Sequence, residues 1–226
     1  MNEPVILLIE TSTASCSAAI ARGEKIIASR CEMGGRMHAS MLAPFIRDIL
    51  AEAGLAAADC SAVAVSGGPG SYTGLRVGVS TAKGLCFGAS LPLIAVNTLQ
   101  ILAVQGAGEA DFIIPMIDAR RMEVYSAVFD GKGHPLTPTE AVILDSGSFS
   151  DYLERGSVLF IGDGAEKFSG VCGAASASFR QCNPQAKAMA APALAAWKNG
   201  DFCDTAYYEP FYLKEFVAGI SKKSVL

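Results

Sequence analysis

The chain has 226 residues and a mass of 23.5 kDa, which allows one large domain or two small lobes and excludes a multidomain machine. Hydrophobic residues make up 51% of it, charged ones 18%, and the mean hydropathy is +0.35, so intrinsic disorder is excluded. Its 18 Lys and Arg against 22 Asp and Glu give a formal charge of −4 and a pI near 5.2, the wrong sign for a protein that grips phosphate backbones unaided.

Residues 5–9 form a continuous, β-branched apolar run, the pattern of a strand covered on both faces. The run is preceded by Glu3 and stopped by Glu10, too short and too acidic at its start for a signal peptide. A small, hydroxyl-rich stretch (10–15) leads to strand character at 16–21, a turn at 22–25 and a third strand at 25–29, a meander opening an α/β unit. From 38 to 53 the apolar positions Met41, Leu42, Phe45, Ile46, Ile49, Leu50 and Ala53 recur at helical spacing, and Gly54 ends the helix. Pro44 fits that helix only in or near its first turn.

Residues 60–66 read as another buried strand, followed by Gly67-Gly68-Pro69-Gly70 and a second helix to about 88. A strand at 92–97 and the start of a helix at 98–105 follow. Around Gly106-Ala107-Gly108 the pattern restarts, with a strand at 112–118 and a second at 123–129 returning after a tight turn at Arg120-Arg121. Short strands at 142–144 and 158–161, the latter ending in Gly162-Asp163-Gly164, precede a helix at about 188–198 that stops at Asn199-Gly200. The chain closes with Pro210-Phe211-Tyr212-Leu213-Lys214 and a solvated tail holding Lys222 and Lys223. Strand–turn–strand at 5–21 recurs weakly at 112–129, which implies two related α/β lobes. No window approaches the roughly 18 apolar residues of a membrane span, and the expected location is the cytoplasm.

The stretch Ser66 to Gly78 reads strand, glycine-rich loop, helix N-terminus, a geometry that offers backbone N–H groups to an anion. Thr73 stands where the third glycine of a dinucleotide fingerprint belongs, and no P-loop pattern occurs. The alternative is a tight turn capped by Ser71 or Thr73. Gly74, Gly78 and Ala82 lie four apart on one helix face, with Gly84 and Gly88 beyond. Such glycines cost helix stability, so they serve close packing either on the chain's own sheet or on a helix of another chain.

Seven cysteines, Cys16, Cys31, Cys60, Cys86, Cys172, Cys182 and Cys203, include no C-x-x-C pair and read as apolar fillers in a reducing compartment. The two histidines, His38 and His134, have no carboxylate at metal-ligand spacing. Ser80 falls in mid-helix, where no nucleophile elbow forms. Asp118 and Arg120, at the hairpin Asp118-Ala119-Arg120-Arg121-Met122-Glu123, either cradle a ligand or brace each other across the turn.

Taken in order, Ile9-Glu10-Thr11-Ser12, His38, the block from Gly68 to Gly78, the hairpin from Asp118 to Tyr125, Gly162-Asp163-Gly164-Ala165 and the terminal Pro210 to Lys214 motif resemble the TsaB (YeaZ) family. The resemblance implies an α/β, two-lobed actin-like ATPase fold (ASKHA, ribonuclease H-like). Its N-terminal lobe, carrying the partner-binding helices, would cover 1–99, and a C-terminal lobe 100–226, with the C-terminal segment packing back on the first.

The function implied is that of a non-catalytic scaffold and activator. It would support TsaD in threonylcarbamoylating the adenosine 3′ of the anticodon in tRNAs that read codons beginning with A, together with the ATPase TsaE, the adenylate coming from TsaC. Contact with tRNA would be indirect. The family's TsaD-like catalysts carry an H-x-x-x-H metal pair, whereas here His38 is followed at the second position by Leu42, so neither a metal nor a catalytic residue is expected. The implied partner surface comprises His38, Met41, Leu42, Phe45, Ile49, Gly74, Leu75, Val77, Gly78, Thr81, Ala82 and Leu85, and the same helices would serve a homodimer.

A vestigial ligand loop would comprise Glu10, Thr11, Ser12, Gly68, Gly70, Ser71, Asp118 and Arg120, with weak nucleotide binding at most and no cofactor. Glu10 stands where the family often has Asp, and Met122 where it commonly has Gly. The alternative function is a nucleotide-binding actin-like enzyme, an ATPase or small-molecule kinase, using residues 10–15 and the Gly162-Asp163-Gly164-Ala165 turn. A metallopeptidase reading lacks ligands.

Overall fold

Every residue of Val5–Glu10 (β1) is buried, because this apolar strand sits in the middle of a sheet with both faces covered. It pairs antiparallel with β2 (Ser15–Arg22), which pairs antiparallel with β3 (Lys25–Met33). On its other side it runs parallel to β4 (Ala62–Ser66), and β4 parallel to β5 (Leu93–Val96), giving the order β3-β2-β1-β4-β5. The computed structural model describes residues 3–34 and 38–213. Lys214, Lys222 and Lys223, and with them the solvated tail expected from the sequence, lie outside the described residues.

The two crossovers are α1 (His38–Ala53) and α2 (Tyr72–Ala89). The period-2 alternation of strand side chains divides the core in two. Leu7, Ile9, Ala18, Ile20, Val63 and Val65 face Leu42, Phe45, Ile49, Val79 and Ala82 of these helices. Ile6, Leu8, Ala19, Ala64 and Ile94 face the opposite way, onto Ala186 and Met189 of a 3-10 turn and Ala190 and Ala193 of α6 (Ala190–Asn199). The last helix among the described residues thus covers one face of the first sheet.

Through α3 (Thr98–Gln105) the chain enters a second sheet. It contains β6 (Phe112–Asp118), β7 (Glu123–Ser126), β8 (Phe129–Asp130), β9 (Glu140–Ile143), β10 (Val158–Ile161) and β11 (Ala177–Arg180), with α4 (Ser150–Leu153) and α5 (Ala165–Ser169) between the later strands. Its path β9-β7-β6-β10-β11 repeats the first sheet, a three-strand antiparallel meander followed by two parallel strands. This duplicated topology is the two-lobed actin-like, ribonuclease H-like α/β fold.

Three expectations need correction. Pro44 lies inside α1 beyond its first turn; the buried Leu42, Phe45, Ile46 and Ile49 pin the helix to the sheet on either side of it, offsetting the backbone hydrogen bond that proline cannot make. The strand expected at 123–129 is split, because Val128 turns to pair with Leu136 and Thr137 before β8 rejoins the start of β6. β3 runs on to Met33 instead of ending at 29.

Candidate functional site

Between the two sheets, where the loops after β1, β4 and β6 converge, lies a cavity of ≈ 990 Å³. Its walls are the β1–β2 turn (Ser12, Thr13, Ala14), the head of α1 (His38, Ala39), the glycine-rich loop with the start of α2, the hairpin at Asp118 and Arg120, Asp163, and Phe211, Tyr212 and Leu213 near the end of the described chain. Ligands of open α/β sheets bind at such strand ends.

The glycine-rich loop is built into the protein's own frame. A Cβ on Gly70 would meet the Ser12 carbonyl, one on Gly74 the Thr11 carbonyl and one on Gly78 the Thr11 hydroxyl. The close approach is used: Ser71 N–H donates to the Ser12 carbonyl at 2.6 Å, and the Thr11 hydroxyl donates to the Gly74 carbonyl at 2.8 Å. Ser71 is the N-cap of α2, its hydroxyl accepting from Gly74 N–H at 3.3 Å. The amides of Ser71 and Gly74 are therefore spent internally. Of the two readings of this glycine stripe, packing on the chain's own sheet accounts for Gly74 and Gly78.

Glu10 lies beneath this floor. Its Oε1 accepts the Ser12 N–H, its other oxygen has no partner among the described residues, and full burial pushes its pKa up to about 7. Ser12 and Thr13 are buried with their hydroxyls likewise unpartnered among the described residues. His38 Nε2 lies 2.9 Å from the Thr13 carbonyl and 3.1 Å from the Ser15 carbonyl. Two acceptors fix the proton on Nε2, so the ring braces the β1–β2 turn.

Across the cleft Asp118 and Arg120 do not brace each other through their side chains, one of the two arrangements their spacing allowed. The Asp118 carboxylate accepts the Arg120 backbone N–H and the Lys167 ammonium at 2.6 Å, and Asp163 accepts the Asp118 N–H at 2.9 Å. Burial pushes the Asp163 carboxyl above its usual range. Arg120 and Arg121 both have positive φ, 72° and 51°, holding the tight turn. Lys167, in a helix the sequence did not suggest, had no local signal. The Glu10 carboxylate is buried and does not line the cavity, and that of Asp118, which does, is already paired with Lys167.

The residues expected at a partner surface divide. Leu42, Ile49 and Ala82 are buried in the core between α1, α2 and the sheet, Leu75 is fully buried, Gly74 and Gly78 are buried against Thr11, and Phe45 is 9% exposed. These cannot meet another chain, because the 3.6-residue period aims them inward. His38, Met41, Val77, Thr81 and Leu85 are half-buried, with Met41, Val77 and Leu85 packing against the same core. Gly84 and Gly88 face open space, with no atom within 4 Å of where a Cβ would stand, and Phe87 is 88% exposed. Among the described residues no group of His, Cys, Asp and Glu is placed to hold a metal ion, and no helix is long and apolar enough to cross a membrane.

The family description "TsaD: tRNA N6-adenosine threonylcarbamoyltransferase" matches residues 25–146. The chain is 43% identical over 129 residues to the tRNA threonylcarbamoyladenosine biosynthesis protein TsaB of Haemophilus influenzae and 40% identical over 127 residues to that of Escherichia coli. Each match covers 55% of this chain and about half of the relative, 53% and 54%. With the TsaB protein of Bacillus subtilis it is 34% identical over 165 residues, 70% of each chain. The solved structure of YeaZ from Pseudomonas aeruginosa superposes with a TM-score of 0.81 at 29% identity, over 93% of this chain and 100% of that one. The chain therefore belongs to the TsaB (YeaZ) family of tRNA threonylcarbamoyladenosine biosynthesis proteins, relatives of TsaD.

Proposed function

We propose that this chain is a non-catalytic scaffold and activator in tRNA threonylcarbamoyladenosine biosynthesis. It docks TsaD through the outer faces of α1 and α2 and orders that partner's active site for transfer to the adenosine 3′ of the anticodon in tRNAs reading ANN codons. TsaE joins the assembled pair, and tRNA is reached through the complex. The work takes place in the cytoplasm.

The observation that supports the docking face is the contrast among the glycines of α2. Gly74 and Gly78 are needed by the chain's own packing, whereas Gly84 and Gly88 touch nothing. A helical glycine costs about 0.5–1 kcal/mol against alanine, and on an open face it gains only if another backbone approaches. Leu42 supports the non-catalytic role. It fills the position of the second metal histidine in the catalysts, and its side chain is 1% exposed, inside the core.

Titrating the protein into TsaD of the same organism, with mass followed by light scattering and transfer followed on tRNA with TsaC, TsaE and ATP, tests this. A one-to-one complex with activity dependent on both chains is expected. Gly84→Arg, on the open face, leaves a folded monomer and abolishes the complex. A complex undisturbed by Gly84→Arg removes this face from the reading. The second reading, a nucleotide-binding enzyme acting alone, draws on the unpartnered Ser12 and Thr13 hydroxyls beside the cavity; ATP turnover by this chain without TsaD would replace the scaffold reading with it.

A further inference from the structure

Residues 203–213 follow α6 and cross α2 to the cleft in two differently held parts. The first is rooted: Cys203 N–H donates to the Leu93 carbonyl, Cys203 and Tyr208 pack on the first core, and the Lys83 ammonium reaches the Ala206 and Tyr208 carbonyls at 3.0 and 3.2 Å. Lys83 thus fixes a hinge. The second part, 209–213, has little of this. Phe211 is 48% exposed, and its N–H donates to the Gly67 carbonyl at 2.7 Å. The Tyr212 ring leans on Tyr72 with centroids 5.0 Å apart, and the Arg76 guanidinium lies 4.2 Å from the centre of that Tyr72 ring. Phe211, Tyr212 and Leu213 form one wall of the cavity.

Among the described residues the tip is held by that backbone hydrogen bond, by the Phe211 backbone lying against Gly68, and by a half-buried stack of Tyr72 and Tyr212 beneath the exposed Arg76. Arg76 makes no ion pair within 4 Å among the described residues, Glu209 being the carboxylate that acts on it from farther off. A carboxylate offered from outside forms a charge-assisted, bidentate pair with a guanidinium, stronger than an exposed guanidinium's contact with a tyrosine ring. Arg76 is exposed on α2, about two turns before Gly84.

We infer that residues 209–213 are a movable cover over the interlobe cavity, latched by Arg76, and that a carboxylate of a partner docked on α2 releases the cover by taking Arg76 away from the stacked Tyr72 and Tyr212. Release uncovers the Gly67-Gly68 backbone and the start of α2. The cavity is then open only when the partner is present, which ties occupancy of the α2 face to access to the cleft. The release step rests on the docking reading above; the latch itself does not.

Amide hydrogen exchange on the full chain tests both. In Arg76→Ala and in Tyr212→Ala the Phe211 amide exchanges about fivefold faster, the loss of roughly one cation–π or ring–ring contact. The Cys203 and Tyr208 amides and those of β1 and β4 keep their wild-type rates. An unchanged Phe211 amide, or one that accelerates only together with Cys203 and Tyr208, overturns the latch. Adding TsaD to the wild-type protein accelerates the Phe211 amide as the variants do. A complex that forms and leaves that amide protected overturns the release step while the docking reading stands, and failure to form a complex overturns the docking reading and the release step together, the latch being judged by the variants alone.

Discussion

Glu10 shows how a single side chain sets a pH dependence. Its carboxyl is fully buried beside serine hydroxyls and without a cation, and burial carries its pKa from an ordinary 4.5 to about 7. Since the folded value is above the unfolded one, the neutral carboxyl favours folding fully below pH 4.5, and that contribution is lost as pH rises through 7. The gap corresponds to about 3 kcal/mol. Urea midpoints of the wild type should fall between pH 5 and pH 8, and those of Glu10→Gln, which keeps an acceptor for the Ser12 N–H but cannot ionise, should stay nearly level. Equal slopes for the two proteins would mean that Glu10 is solvated. Nothing in the sequence revealed this, because Glu10 at the end of a buried run reads as a strand terminus until the fold closes Ser66 and the β1–β2 turn around it.

At the scale of the element, α2 shows which parts of the molecule were legible and why. Its limits and a cap at Ser71 or Thr73 followed from local rules, since capping and 3.6-residue periodicity act within a few residues, whereas the side to which Gly74, Leu75, Gly78 and Ala82 turn was expected to be a partner's and is the chain's own core. Which glycines served the fold did not follow from such rules, because the answer depends on Thr11, distant in sequence and brought against Gly74 and Gly78 only by the parallel pairing of β1 with β4. The same remoteness hid Lys167 at Asp118 and the Phe211 to Leu213 wall of the cavity. The two glycine classes predict opposite responses. Gly78→Ala forces a methyl onto the Thr11 hydroxyl and destabilises by about 2 kcal/mol, as overpacking does, whereas Gly84→Ala on the open face stabilises by about 0.5–1 kcal/mol through helix propensity. Thermal melts of both variants check the pair, and a loss of stability on Gly84→Ala would mean that this face is already covered.

On the scale of the whole molecule, the duplicated topology was faintly visible as a repeated strand–turn–strand, but its consequence for folding was not. The sequence divides naturally near residue 99, after the strands and helices of the first sheet. The core does not. Ile6, Leu8, Ala64 and Ile94 on one face of that sheet are covered by Ala186, Met189, Ala190 and Ala193, which arrive only after the chain has completed the second sheet. Gln105 holds this return, donating to the Asn183 carbonyl at 3.2 Å and accepting from the Gln185 N–H at 2.8 Å. A fragment of residues 1–99 would expose a continuous apolar face of a kind that soluble monomers rarely tolerate, so it should fail to fold alone. Expressed by itself it should give collapsed amide NMR dispersion or aggregate, and supplying residues 100–226 in trans should restore a dispersed spectrum. A well-dispersed spectrum from the fragment alone would mean that α1 and α2 suffice to stabilise the first sheet. The last helix would then be an attachment to a finished lobe instead of half of its core.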